Sequence, residues 1–450
     1  MCFDMSGMKK NVALLYLITA VLFSSACKTS FDEVNYNNGD AEFARFLSVG
    51  SGYMAGYADN ALYREAQLNS IPALLSERFA LVGGGPFLQP LINPGTGLGL
   101  NDNSKYLLTT VANACGTGTI LKPYPVFDTA DVTNYNWLGN LFSYNNLAVP
   151  GARIYDLNSQ EFGDPSPFLG NALYSRFATM PATSTVAGDA TLLNATFVAL
   201  WVGMDDIYAY ARAGGDQGFD SLTKPVLFGD MYSSLVAQVI PPTAGAVLAN
   251  IPSLNSIPFF TAISWNGLVL NAAQATELNS LYAIVDPSIS FVVGNNPYII
   301  ADPTEPTGRR KIRNGEYILL STPRDSIVCN NWGTLVPIPE NYVLDENEAI
   351  SINTAVDGYN TVIATEAVAG NYALADMNAL FKTLNKGILF NGVNYTTKYL
   401  KESAFSTDGF YPNQNGYAIL ANEFLRVINL KYSSNLPLID ANSFQGIVFP

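Results

Sequence analysis

The stretch FLSVGSGYMAGYADNALY, residues 46–63, constrains the fold of this chain more than any other. An apolar run over 46–49 stops at Gly50, a Gly-Ser-Gly turn follows, and an Ala-, Leu- and Tyr-rich segment then begins a helix. A strand that ends at such a turn before a helix is where α/β enzymes place a nucleophile or an anion site. The same grammar recurs downstream. NNLAVPGAR, 145–153, reads as a strand ending at Pro150-Gly151. The apolar run 197–202 breaks at Gly203 into a helix that Gly214 and Gly215 stop. Residues 244–254 and 372–376 read as further strands, and 68–79, 225–239, 272–285, 345–369 and 416–432 as helices. Strands alternating with helices at this spacing imply a mostly parallel sheet covered on both faces, a three-layer α/β/α sandwich.

The N-terminal segment reads as a targeting signal over residues 1–26. Lys9 and Lys10 precede an apolar stretch, 11–23, that is too short to span a bilayer. SSAC then puts small residues before Cys27, which resembles a bacterial lipoprotein signal in which that cysteine is lipidated. Residues 27–41 are polar and Asn/Asp-rich and read as a tether. A single domain over 42–435 follows, with loop-rich insertions near 83–140 and 299–340 and a C-terminal extension over 436–450. Gly95, Gly97 and Gly99 are followed by no helical pattern and no Walker lysine, so they read as loop. The basic cluster GRRK, 308–311, reads as a solvated loop.

Composition narrows the chemistry. Lys and Arg number 23 against 37 Asp and Glu, a net charge of −14, which excludes a nucleic-acid partner. The chain has no histidine at all. That removes every His-assisted triad and every His-ligated metal site, and neither a metal nor a cofactor is expected. If the chain is exported, Cys115 and Cys329 either form a disulfide or remain as two free buried thiols.

Taken in order, the turns at Gly50–Gly52, Pro150-Gly151, Gly203–Asp206 and Asp408–Gly416 resemble the four signature blocks of the SGNH (GDSL-type) hydrolases. The phrases GYADNALY, ALVGGGPFLQPL, NNLAVPGAR, ALWVG and GYAILANEFLRVIN are similar to those of large lipoprotein members of Bacteroidetes type. The resemblance implies an SGNH/flavodoxin-like esterase scaffold, but with degenerate blocks. Gly52 stands where the nucleophilic serine belongs, and Ser51 lies one place early. Gly151 matches the oxyanion-hole glycine. Met204 stands where an asparagine amide should donate, and a thioether cannot. Asp408 matches the catalytic acid, while Tyr411 replaces the histidine. No acyl-enzyme route survives these changes.

Three readings compete. The first is an outer-membrane lipoprotein, facing the periplasm or the cell surface, that has lost catalysis. It would bind a glycan, a lipid or a membrane-protein partner through a groove lined by Ser51, Tyr53, Met204, Asp205, Asp206, Asp408 and Tyr411. The second is an active esterase using Ser51 as a shifted nucleophile, with Asp205 or Asp408 as base. The third is a glycosidase using Asp205 and Asp206, although adjacent residues rarely face one another and an acid at a helix start is explained by the dipole.

Overall fold

In the computed structural model, β1 (Phe46–Gly50) belongs to a parallel sheet and is buried along its whole length. The structure describes residues 35–100, 104–139, 144–166, 170–216, 218 and 220–450; the expected signal segment and Cys27 lie outside them. Beside β1 runs β2 (Phe197–Trp201), then β3 (Gly245–Ala249) and β4 (Ala373–Ala375), all parallel. On the other side of β1 the chain at 145–149 runs alongside it. Ser48 N donates to Asn145 O, Leu147 N to Ser48 O, and Val149 N to Gly50 O. Only the Ser48–Asn146 bridge is regular there, so the strand expected from 145 to the Pro150-Gly151 turn is an extended edge segment over 145–149. With it, the order is that of a doubly wound sheet whose direction of winding switches between β1 and β2.

Helices cover both faces, as the fully apolar strands require. On one face lie α1 (Ile71–Ala80) and α5 (Gln414–Tyr432), where Phe79 and Tyr432 pack on Phe197. On the other lie α2 (Met204–Arg212), α3 (Pro225–Val239) and α4 (Glu346–Ala369). Phe228 of α3 stacks on Tyr359 of α4 with ring centroids 3.7 Å apart. The three-layer α/β arrangement expected from the strand–helix alternation is therefore what forms. Caps mark its boundaries. Asp345 and Glu348 make a capping box at the start of α4, and Ser70 Oγ accepts Ala73 N at the start of α1. That cap splits the helix expected over 68–79, leaving a separate short helix, Arg64–Leu68.

Two sequence expectations change. The stretch from 83 to 137 is not all loop. Lys105–Ala112 and Thr119–Val126 form an eight-pair antiparallel hairpin. Pro123 and Pro125 obscured it, but a two-stranded ribbon has free edges on which proline is tolerated. The second insertion is also larger than 299–340. Helix Ala272–Val285 buries Ala275, Leu278 and Tyr282 against Ile289, Phe291 and Ile299, a small core apart from the main one. A disulfide between Cys115 and Cys329, with Cα atoms 5.3 Å apart, ties the hairpin tip to the second insertion. Lys122 Nζ reinforces it with an ion pair to Asp325, 2.8 Å away.

Candidate functional site

The switch between β1 and β2 brings the four expected turns together. β1 ends at Gly50, where a Cβ would lie 2.7 Å from Trp201 O; only glycine lets the two strands close there. Ser51 precedes the single-turn helix Gly52–Ala55, and its carbonyl accepts Met54 N and Ala55 N. Its hydroxyl makes no capping bond and is fully buried. The third turn uses Gly203 at φ +102°, which aims the chain from β2 into α2. Met204 is fully buried there and presents no donor. In the second turn Gly151 adopts φ +80°, and Leu100 of the first insertion covers it.

The fourth turn is held by carboxylates. Asp408 Oδ1 accepts Phe410 N and Tyr411 N at 2.8 Å each, and its Oδ2 accepts Asn60 N at 2.9 Å. Asp59 accepts both Thr407 N and Thr407 Oγ1. Asp59 and Asn60 both have positive φ, 52° and 62°, as the central pair of a tight hairpin between Tyr57–Ala58 and Ala61–Leu62. Asp408 thus spends its oxygens on backbone amides and fixes the position of Tyr411 rather than orienting a base.

Tyr411 points inward. Its ring packs 4.8 Å from that of Tyr57 and 5.3 Å from that of Tyr53, centroid to centroid. A Cβ at position 52 would stand 2.5 Å from Tyr411 Cε1 and 2.8 Å from its hydroxyl oxygen. The phenol therefore occupies the volume in which a nucleophile side chain would project. The two residues are sterically complementary: glycine at 52 leaves the room that tyrosine at 411 fills.

The expected groove is closed. Ser51, Tyr53, Met204, Asp205, Asp206 and Tyr411 are each no more than 2% exposed, so they form a packed floor and not an open lining. The aromatic content at this pole explains the correction: Phe410 packs edge to face on Tyr53 and Tyr411, Tyr57 packs at a tilt on Tyr411, and together they exclude solvent. Asp205 and Asp206 diverge, as neighbours on a helix must. Asp206 Oδ2 accepts Ile154 N at 2.9 Å, and burial pushes its pKa up to about 7. Asp205 turns toward Arg212 and pairs with it at 3.2 Å. Burial still raises the Asp205 pKa, outweighing the arginine. Burial likewise lifts Asp408 to about 6 and pushes the Tyr411 phenol well above its ordinary value.

Arg212 is the residue that sequence reasoning missed. It lies two turns after Asp205 on the same face of α2, a spacing that was readable. Its guanidinium also sits 4.6 Å from the Phe410 ring centroid. Around it, three buried polar atoms lack a hydrogen bond of good geometry among the described residues: Ser51 Oγ, Asp205 Oδ2 and the Tyr411 hydroxyl. The Ser51 hydroxyl lies beside the Asp205 carboxyl and moderates its pKa. Among the described residues no cluster of His, Cys, Asp or Glu is placed to hold a metal ion.

No protein-family model matches the chain, and no curated protein does. Solved structures similar to it include a catalytic mutant of an acetylxylan esterase from Geobacillus stearothermophilus, at 11% identity and a TM-score of 0.35, covering 87% of this chain and 97% of that one. A protein assigned as a GDSL-like lipase from Parabacteroides merdae aligns at 10% identity and a TM-score of 0.35, over 87% and 97%. An alpha/beta hydrolase enzyme from the metagenome of Lake Arreo aligns at 12% identity and a TM-score of 0.36, over 86% and 96%.

Proposed function

We propose that this chain is a catalytically degenerate SGNH/GDSL hydrolase-like protein, held at the bacterial outer membrane through Cys27, that serves as a binding or accessory protein for a glycan, a lipid or a membrane-protein partner. The observation that carries the loss of catalysis is the Tyr411 ring in the side-chain space of residue 52, within a chain that has no histidine. Sequence and packing support the same reading independently. The nucleophile and base of the family pattern are both replaced, and each replacement fits the other.

An esterase built on Ser51 is disfavoured by the same geometry. Its hydroxyl is fully buried, so an acyl carbonyl has no line of approach. Asp205, the nearest carboxylate, is engaged by Arg212. Without substrate access a base of raised pKa does no acyl chemistry.

The test is hydrolysis of p-nitrophenyl acetate by the purified chain and by the triple variant Gly52→Ser, Met204→Asn, Tyr411→His. The wild type is expected to stay at background. Gain of turnover in the triple variant identifies the scaffold as a hydrolase relic; turnover by the wild type refutes the proposal.

A further inference from the structure

The pole of the sheet opposite the degenerate site carries a feature that the loss of catalysis leaves unexplained. The helices run antiparallel to the strands, so α1, Val186–Leu192, α4 and α5 all end at the edge where the strands begin. Each has an exposed aliphatic side chain at or near that end: Leu81 at 52%, Leu192 at 59%, Val368 at 82% and Leu430 at 78%. Residues 39–45 cross this pole and link those ends. Asp40 N donates to Tyr432 O, Gly85 N to Phe43 O, and Arg45 Nε to Asn194 O. Lys431 Nζ reaches Asn371 Oδ1, which places the ends of α4 and α5 side by side.

The chain that leads into the domain arrives at this pole. Asn37 N bonds to Asn435 Oδ1, just beyond the last turn of α5. Between Cys27 and Asn37 the sequence supplies only nine residues, 28–36. A segment of nine residues reaches at most about 32 Å. A lipid on Cys27 would therefore keep this pole within a short leash of the bilayer. The degenerate site lies at the other end of α5, whose 19 residues span about 28 Å.

We infer that this pole is a membrane-apposed surface: Leu81, Leu192, Val368 and Leu430 rest against the headgroup region of a lipid bilayer, and the degenerate turn faces away from it. The occupant is lipid. The tether sets the distance, and the aliphatic side chains at the helix ends match the interfacial layer. The charges here are of both signs, Arg45, Arg78 and Lys431 among Asp40, Glu42 and Glu77, which suits a mainly zwitterionic surface. A second exposed aliphatic group, Val269, Ile284, Val292 and Val293, lies on the second insertion. It serves as an internal control. The inference rests on the lipoprotein reading proposed above.

The experiment uses the full chain, produced with its own signal and reconstituted into phosphatidylethanolamine/phosphatidylglycerol vesicles. Mass spectrometry of the mature N-terminal peptide reports acylation of Cys27. Hydrogen–deuterium exchange then compares the vesicle-bound chain with the unanchored Cys27→Ser chain. Exchange is expected to slow by about threefold or more over 39–45, 192–195, 368–371 and 430–433, and to stay unchanged over 284–293 and 407–412. The exposed-site variant Leu192→Asp/Val368→Asp/Leu430→Asp should keep the acyl chain and lose the protection. An acylated chain with no slowing at this pole, or with slowing at 284–293 instead, overturns the inference and leaves the lipoprotein reading standing. A Cys27 without acyl groups overturns both.

Discussion

Two buried acid–arginine pairs in this molecule are built to opposite standards. In the second insertion, Glu316 gives both carboxylate oxygens to Arg310 at 2.7 Å and also accepts Arg313 N. Asp302 takes the Arg310 Nε. The Glu316 side chain is 1% exposed and its arginine 12%. Beside Ser51, Asp205 meets Arg212 through a single contact, its second oxygen lacks a bond of good geometry, and the arginine is 27% exposed. A pair kept for structure satisfies all its donors and acceptors. The Asp205 pair leaves polar capacity unused, at the place where the strand order reverses. The contrast fits the proposal that the second pair is the remainder of a site.

Removing one partner should separate the two cases sharply. Glu316→Ala leaves Arg310 with Asp302 as its one remaining carboxylate in a largely buried setting, and should lower unfolding free energy by about 3–5 kcal/mol in urea titrations. Asp205→Asn should cost far less, because it also relieves a buried charge of raised pKa.

Acid–base behaviour sharpens the comparison next. Asp206 titrates at about 7 and Asp408 and Asp156 at about 6 in the folded chain, all raised chiefly by burial. In the unfolded chain such groups titrate near 4. The folded state therefore holds more protons between about pH 4 and 7, and stability falls as pH rises through that window. Urea midpoints at pH 5 should exceed those at pH 8. Asp206→Asn should flatten the dependence.

A smaller effect probes the fit of Gly52 to Tyr411. Gly52→Ser alone forces its side chain into the phenol and should destabilise by about 1–3 kcal/mol. Adding Tyr411→His should recover much of that loss, and a double-mutant cycle measures the coupling. The smallest change is expected from Tyr411→Phe. It deletes a hydroxyl that makes no hydrogen bond of good geometry, so the thermal midpoint should stay level or rise by the equivalent of about 1 kcal/mol.

Much of the fold was legible because it rests on local rules. The apolar run 46–49 ends at Gly50 as read, α3 spans the residues its pattern indicated, and the Asp345 cap starts α4. The hairpin around Cys115 escaped notice because all but one of its strand residues stay at least partly exposed and two of them are proline. The edge segment at 145–149 read as a full strand because its composition is strand-like; the structure gives it one regular bridge. At the site, the sequence aligned the turns but could not reveal whether they enclose a groove. That depends on the direction of one ring. Tyr411 fills the space beside Gly52 only because Asp408 and the Asp59-Asn60 hairpin fix its backbone, a contact between distant parts of the chain. The Asp205–Arg212 pair, by contrast, was within reach of helical spacing alone.

The central claim is that no nucleophile in this pocket can be acylated or phosphonylated. The most direct measurement is to treat the folded wild-type chain with an activated fluorophosphonate and map adducts by mass spectrometry. The account predicts no modification at Ser51, with labelling appearing at residue 52 only in the Gly52→Ser/Met204→Asn/Tyr411→His variant. A stoichiometric adduct on Ser51 of the native protein, lost when it is unfolded first, would contradict it.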